Sequence, residues 1–247
     1  MGSPEKSRPS WFWPLAVVIV PIISLLAKTE IRGRENLPRS GAYVLSPNHV
    51  SELDPVVVAA AVWKLGRAPR FMAKDSLFRV PVLGAALRAT GMIPVSRTST
   101  RDATAQVIAQ ATALVEDGRG VIVYPEGTLT RDPQLWPMRG KSGAARLALA
   151  GDIPLVPVAH WGVQEIMPRY ARGIRVWPLR KRVRLTIGEP IDLSDLRGRA
   201  TEPAAVAEAT SRLMSAITAL LEDIRGEKAP GERWDPSSHG QAETGRL

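Results

Sequence analysis

The spacing of apolar positions changes period along the chain. Trp11 to Ala27 form a run of seventeen residues without a charge, bracketed by Arg8 and Lys28. As a helix this run measures ~26 Å, short of the ~30 Å bilayer core. Pro14 and Pro21 are expected to kink it, and Trp11 and Trp13 suit headgroup depth. No small-x-small cleavage site precedes Lys28, which argues against a signal peptide. The run is therefore read as an interfacial or half-inserted anchor, with a buried core helix as the alternative. From residue 30 onward short apolar runs alternate with helical patterns. Residues 42–46, 92–95, 120–124 and 154–159 read as strands, each bounded by Gly or Pro. Ala103, Val107, Ala111, Leu114 and Val115 lie on one helical face over 101–116, which Gly118 ends. Val206, Leu213, Ile217, Leu220, Leu221 and Ile224 repeat that rhythm over 203–224, with Pro203 in the first turn. No internal repeat is visible.

Such alternation predicts an α/β fold, a single domain with a mixed, largely parallel sheet flanked by helices. The expected division is a polar leader and hydrophobic membrane-associating helix over 1–28, one domain over 29–225, and a disordered tail over 226–247, rich in Gly, Pro, Ser and charge. The 247 residues, 45% hydrophobic, suffice for a core without disulfides. Cysteine is absent, which excludes thiolate nucleophiles and every cysteine-based metal site. Only His49, His160 and His239 are available for imidazole chemistry, and no metal site is expected. The net charge of +9 comes with 26 Arg against 7 Lys and points to an anionic partner. Codon composition accounts for the Arg-over-Lys bias equally well.

The segment Pro47-Asn48-His49-Val50-Ser51-Glu52-Leu53-Asp54-Pro55 follows a predicted strand, where α/β folds place functional loops. A histidine is a general base near neutral pH, and a carboxylate on its second nitrogen fixes the tautomer. Five residues of loop allow Asp54 to curl back to His49. The same Asp54-Pro55 pair also suits a helix start, with Asp as N-cap and Pro in the first turn before 56–63. Three further blocks end or form strands: Gly91-Met92-Ile93-Pro94-Val95-Ser96-Arg97, Tyr124-Pro125-Glu126-Gly127-Thr128, and Ile153-Pro154-Leu155-Val156-Pro157-Val158.

In order and spacing the four blocks resemble the glycerophospholipid acyltransferase family, in particular its 1-acylglycerol-3-phosphate acyltransferases, from about residue 30 to 190. The resemblance implies that His49 deprotonates the acceptor hydroxyl and that Asp54 orients it. It implies further that Arg97 contacts the acceptor phosphate, while Glu126, Gly127 and Thr128 help bind the glycerol-phosphate portion. Family members often carry arginine directly after the Glu-Gly-Thr triplet. Here that position is Leu129, and Arg131 is expected to supply the charge. The implied substrates are a lysophosphatidate acceptor and an acyl-CoA or acyl carrier protein donor, with no separate cofactor. Two rivals use parts of the same pattern. A lipid thioesterase would use the His–Asp pair with water, and a basic membrane-surface or nucleic-acid-binding module would need neither residue. Glycerol-3-phosphate or another lysophospholipid remains an alternative acceptor.

Independent chemistry agrees. Without cysteine or a Gly-x-Ser-x-Gly elbow, direct attack by the lipid hydroxyl on the thioester is the economical mechanism. Arg139-Gly140-Lys141-Ser142-Gly143 precedes a helical pattern over 144–150, so Lys141 is a candidate for a second phosphate cradle, or equally part of a solvated helix start. Residues 169–184 hold seven basic and no acidic side chains, interleaved with Tyr170 and Trp177. That composition suits an anionic headgroup layer on the cytoplasmic face of a membrane. It matches no nucleic-acid reader motif, so nucleic acid is not expected as a partner. Residues 78–87, apolar with Pro81 and Gly84, are read as core, with a membrane-facing patch as the alternative.

Overall fold

The computed structural model describes residues 10–95 and 100–242. Helix α1 (Phe12–Leu26) leads directly into strand β1 (Ala27–Arg32). Strand β2 (Tyr43–Pro47) is followed by helix α2 (Asp54–Lys64). A small excursion holds β3 (Met72–Lys74), α3 (Asp75–Phe78), α4 (Leu83–Ala89) and β4 (Ile93–Val95). Then come α5 (Thr100–Glu116), β5 (Gly120–Ile122), α6 (Gly143–Gly151), β6 (Leu155–Trp161), α7 (Val163–Ile166), β7 (Lys181–Ile187) and α8 (Pro203–Arg225).

Five strands form the main sheet in the order β1-β7-β6-β2-β5. Only the β6–β7 pair is antiparallel; β1–β7, β2–β6 and β2–β5 are parallel. The mixed, largely parallel α/β sheet expected from the sequence is therefore present. The expected strand at 92–95 does not join it. Its residues pair instead with β3 in a two-stranded parallel sheet, linked to the main one through a bridge from Phe71 to Ile122. The strands β1 and β7 carry charged residues on alternate positions and so lack the continuous apolar run that marks β2, β5 and β6.

Alternation along β2 sends successive side chains to opposite faces. Val44 joins Leu114, Val121, Leu147, Leu155, Leu213 and Ile217 under α5, α6 and α8. Tyr43 and Leu45 face the other way, packing with Val58 and Val62 of α2 and with Val156, Val158, Leu185 and Ile187. Helix α8 is long and apolar enough to cross a membrane by composition alone. Its Val206, Ala209, Leu213, Ile217 and Leu221 are nonetheless fully buried in the core.

Helix α1 buries one face and exposes the other. Phe12, Ile23 and Leu26 are buried, with Phe12 packing on Trp63 and the others on Val57 and Ala60 of α2. The opposite face leaves Trp11, Val17, Val18, Ile22 and Leu25 exposed, Val17 at 68%. Fifteen residues make a helix of ~22 Å, and it runs unbroken through Pro21. Residues 78–87 depart from the core reading. Phe78 is buried, but Leu77, Val80 and Val82 beside it are exposed, because α3 and α4 are too short to present a continuous face to the sheet.

The tail also differs from expectation. Gly226, in the left-handed region at φ +72°, ends α8, and the chain turns back along it. Trp234 stacks on His239 at 3.5 Å between centroids, its carbonyl accepts from the Arg139 backbone, and Pro236 is buried. Glycine, proline and charge make this segment polar, but two aromatic rings and a folded turn anchor it. The Arg225 guanidinium lies between Trp136 at 3.9 Å and Trp161 at 4.4 Å, and donates to the Gln134 carbonyl. Truncation after Arg225 is therefore expected to lower the urea midpoint of unfolding, whereas an unattached tail would leave it unchanged. Arg225→Ala should cost about 2 kcal/mol or more, since a desolvated guanidinium held on aromatic faces is worth that much.

Candidate active site

Strand directions gather the chemistry at one end of the sheet. Pro47, the last residue of β2, pairs with Val158 of β6, and Val158 in turn pairs with Ile187 of the antiparallel β7. The C-terminal ends of β2, β5 and β6 thus share an edge with the N-terminal ends of β7 and β1. The turn carrying His49 and Asp54 leaves β2 at this edge.

Asp54 is completely buried, and one oxygen, Oδ2, organises the turn. It accepts from Val50 N at 2.6 Å, from Ser51 N at 2.8 Å and from His49 Nδ1 at 3.0 Å. Asp54 is the first residue of α2 but does not cap it through its side chain; Leu53 holds the cap position. The helix-cap reading of Asp54 is thereby replaced by a turn-closing one. With Nδ1–H donating to a carboxylate, the His49 lone pair sits on Nε2, the tautomer needed for a base. The His49 side chain is 15% exposed and Asp54 0%, so the imidazole is the member of the pair that a substrate can reach.

The sequence reading gave no role to what surrounds this pair. His160 is buried 3.8 Å from Asp54 Oδ2. Its Nε2 donates to the Asn48 carbonyl, while Asn48 exchanges two side-chain hydrogen bonds with the His160 backbone. Burial lowers the His160 pKa, which keeps this second imidazole neutral. Tyr124 stacks on His49 at 4.2 Å, and burial beside Asp54 raises its phenol well above the usual value. A histidine at the end of an apolar strand and a tyrosine before a Pro-Glu-Gly turn were the only sequence signals for these two residues.

Glu126, expected to help bind the glycerol-phosphate portion, lies in the next loop and faces inward. It is fully buried; Oε1 accepts from His49 N at 2.9 Å and Oε2 from Met138 N at 3.1 Å. Thr130 reinforces the tether: its N donates to the His49 carbonyl at 2.7 Å and its hydroxyl to the Trp136 carbonyl. Glu126 thus holds the His49 turn in place. Burial lifts its pKa to about 8 against the opposing pull of the two backbone N–H groups. Since the one Thr130 hydroxyl proton goes to Trp136, a protonated Glu126 can donate to the Thr130 oxygen it contacts.

Arg131, expected to supply the charge that family members carry after the Glu-Gly-Thr triplet, is likewise buried. Hydrogen bonds from Gln134 N and Trp136 N to Asp132 Oδ1 curl the loop back on itself and turn Arg131 inward. Gly127, at φ +70°, is exposed, and a Cβ there would stand 3.0 Å from Lys141 Cδ. Lys141 is thus brought against the Glu126-Gly127 turn, with half-buried Thr128 beside it. Arg139 instead faces the tail, pairing with Asp235 at 3.3 Å. Arg97 lies outside the described residues.

An apolar groove of about 210 Å³ begins next to the dyad. Pro55 and Val56 line it together with Ala16, Ile19 and Val20 of α1, and Phe71 closes one end. Phe71 lies parallel to Tyr124, which stacks on His49, so a continuous path of apolar surface connects α1 to the imidazole. Among the described residues no cluster of three or more His, Asp or Glu is arranged to hold a metal.

The site thus combines a buried carboxylate, a reachable imidazole oriented by it, and an apolar groove nearby, within an α/β domain. The chain belongs to the acyltransferase family, whose model matches residues 28–161. Among its relatives, the chloroplastic 1-acyl-sn-glycerol-3-phosphate acyltransferase BAT2 of Brassica napus is 35% identical over 148 residues, 60% of this chain and 41% of that protein. The Bacillus subtilis 1-acyl-sn-glycerol-3-phosphate acyltransferase is 26% identical over 205 residues, covering 82% of this chain and 94% of its own. The crystal structure of the 1-acyl-sn-glycerophosphate acyltransferase PlsC from Thermotoga maritima shares the fold, with a TM-score of 0.63 at 20% identity over 87% of this chain and 82% of that one. The chain spans about two fifths of the length of the plant relatives it matches.

The Glu126 pKa gives a signed prediction. Between about 4.5 and 8 the folded protein holds a proton that the unfolded chain has lost, so this group's contribution to stability declines as pH rises through that window. Urea unfolding across pH should show this decline in the native protein and a flatter profile in Glu126→Gln. The variant's midpoint should also be lower, because a side-chain amide cannot accept from both His49 N and Met138 N. An unchanged slope would remove Glu126 as its origin.

Proposed function

We propose that the protein is an acyltransferase that moves a fatty acyl chain from an acyl thioester to the free hydroxyl of 1-acyl-glycerol-3-phosphate, making phosphatidate for phospholipid synthesis. The observation that carries this reading is the oriented and reachable His49–Asp54 pair, next in the chain to Pro55 and Val56, which line an apolar groove. The names of the relatives from Brassica napus and Bacillus subtilis support the choice of acceptor.

The chemistry follows from the tautomer. His49 Nε2 takes the proton of the acceptor hydroxyl as its oxygen attacks the thioester carbon. The tetrahedral intermediate expels the thiolate, which takes a proton from the imidazolium, and His49 returns to its starting state. Asp54 stabilises the imidazolium in between. The acceptor phosphate is assigned to Arg97 together with Lys141, Gly127 and Thr128, the last three of which meet at the turn after β5. Glu126 positions the His49 loop and does not touch substrate. The thioester is an acyl-CoA or acyl carrier protein, and no further cofactor is invoked. Attachment to the cytoplasmic surface of a membrane, where acyl thioesters are made, is part of this proposal; the exposed apolar face of α1 supports attachment to lipid.

Mass spectrometry of products formed from one acyl thioester and a panel of acceptors tests the proposal. Phosphatidate from lysophosphatidate is the expected product. Free fatty acid in its place would assign a thioesterase, and lysophosphatidate from glycerol-3-phosphate would reassign the acceptor. His49→Ala should lower turnover by roughly 10²–10⁴ with the fold intact. Asp54→Asn should also be severe, since a neutral amide oxygen accepts the imidazole N–H more weakly and lacks the charge that stabilises the imidazolium. Arg97→Ala should raise the KM for acceptor far more than that for donor, and Arg97→Lys should rescue only in part, because an ammonium lacks the guanidinium fork. Equal changes in both KM values would make Arg97 structural.

A further inference from the structure

The segment between α7 and β7 is folded so that its apolar side chains point away from the protein. Lys181 Nζ donates to the carbonyls of Arg175 and Pro178, and Arg175 N donates to the Ile166 carbonyl at 2.6 Å. The loop is fixed by these bonds, yet Ile174, Val176, Trp177 and Leu179 remain exposed, Trp177 at 82%. A pre-formed loop holding four apolar groups in water is unfavourable unless something covers them.

What lies beside it indicates the cover. Arg180 N donates to the Leu25 carbonyl at the end of α1, and Ala27 pairs with Lys181 where β1 and β7 begin. The loop therefore leaves the sheet next to the exposed apolar face of α1, at the same edge as the His49 turn. Arg172, Arg175 and Arg180 interleave with the apolar positions, and the segment contains no acidic residue. Apolar tips, an exposed tryptophan and flanking arginines match the layered chemistry of a bilayer surface, acyl chains beneath and anionic headgroups above. A protein partner with an apolar patch would not need the arginines, and nucleic acid would not need the aliphatic tips.

We propose that residues 171–180 form a second bilayer-inserting element, which enters anionic phospholipid beside α1 and sets the sheet edge bearing His49 against the membrane. This rests on the membrane-surface reading of α1 and adds a second attachment point that fixes orientation. The loop is also tied to the catalytic turn. Tyr170 N donates to the Glu52 carboxylate, Ser51 Oγ to the Met167 carbonyl, and Arg169 to the carbonyls of Thr130 and Asp132. Insertion thus holds the His49 turn at a set height over the lipid.

Because the chain has no cysteine, single substitutions Val176→Cys, Leu179→Cys, Val18→Cys and Ser40→Cys can each carry one environment-sensitive fluorophore. Ser40 precedes β2 at the opposite end of the sheet and serves as the control. With vesicles of phosphatidylcholine and phosphatidylglycerol, labels at 176, 179 and 18 should shift to the blue and be quenched by brominated acyl chains, while the label at 40 keeps its aqueous spectrum. A response at 18 with none at 176 or 179 overturns the proposal and leaves the α1 anchor standing. Silence at all three overturns the membrane reading as well. Response at 176 and 179 alone supports the loop and removes α1 as an anchor. Arg172→Gln combined with Arg175→Gln should weaken binding to the anionic vesicles by about tenfold or more and leave pure phosphatidylcholine binding nearly unchanged. Equal loss on both vesicles overturns the headgroup role, and a response to a single-stranded oligonucleotide but not to vesicles reassigns the surface to nucleic acid.

Discussion

A carboxylate removed entirely from water must be compensated by hydrogen bonds where it lies, and in this protein that requirement shapes the functional end of the molecule. Asp54 is such a group. Its Oδ2 accepts from two backbone N–H groups and one imidazole N–H, and the three donors all come from the five residues before it. The turn that leaves β2 is therefore wound around a single oxygen, and the direction of His49 follows from the winding. Helix α2 starts at the same residue and packs Val57, Ala60 and Ala61 into the core, so the position of the carboxylate is set by hydrophobic burial beyond it.

Strand polarity determines what surrounds the turn. Had β7 run parallel to β6, its N-terminal end, the loop before it, and the start of β1 would lie at the far edge of the sheet. The antiparallel β6–β7 step brings α1, the 171–180 loop and the His49 turn to one edge. The imidazole, the exposed apolar face of α1 and the exposed apolar loop thereby share one side of the sheet, the arrangement that the proposed reaction on a bilayer lipid requires.

A second tier holds the first. Glu126 and Thr130 bind the backbone of His49 on both sides, through its N–H and its carbonyl. The loop that carries them is closed by Asp132 and by Trp136, and Trp136 is clamped with Trp161 by Arg225 at the end of α8. The C-terminal segment joins through the Trp234 carbonyl and Asp235 on Arg139. Apart from the Arg139–Asp235 ion pair these links are hydrogen bonds to backbone groups or aromatic contacts, and the task of Glu126 among them is to accept hydrogen bonds, for which no charge is required.

Local pattern was enough for α1, α2, α5, α6, α8 and four strands, because each has an apolar stripe or run whose period differs from its neighbours. The His-x4-Asp spacing was legible for the same reason, since a five-residue turn is local and its closure depends on residues adjacent in the chain. Strands β1 and β7 were not, because their charged positions alternate with core positions and only pairing with each other makes them strands. The inward turn of Glu126 and Arg131, the neutral His160 behind Asp54, and the anchoring of the tail on Trp234 were equally invisible. The Glu126 tether to His49, the His160 site and the tail each depend on contacts between residues far apart in sequence, His160 and Asn48 being 112 apart. The Arg131 turn depends on a side-chain acceptor that no apolar period signals. Sequence thus determined which residues could carry the chemistry, through local spacing. Tertiary structure decided which of them are reachable and which are buried supports, because burial is a property of the packed sheet and loops and is not encoded at any single position.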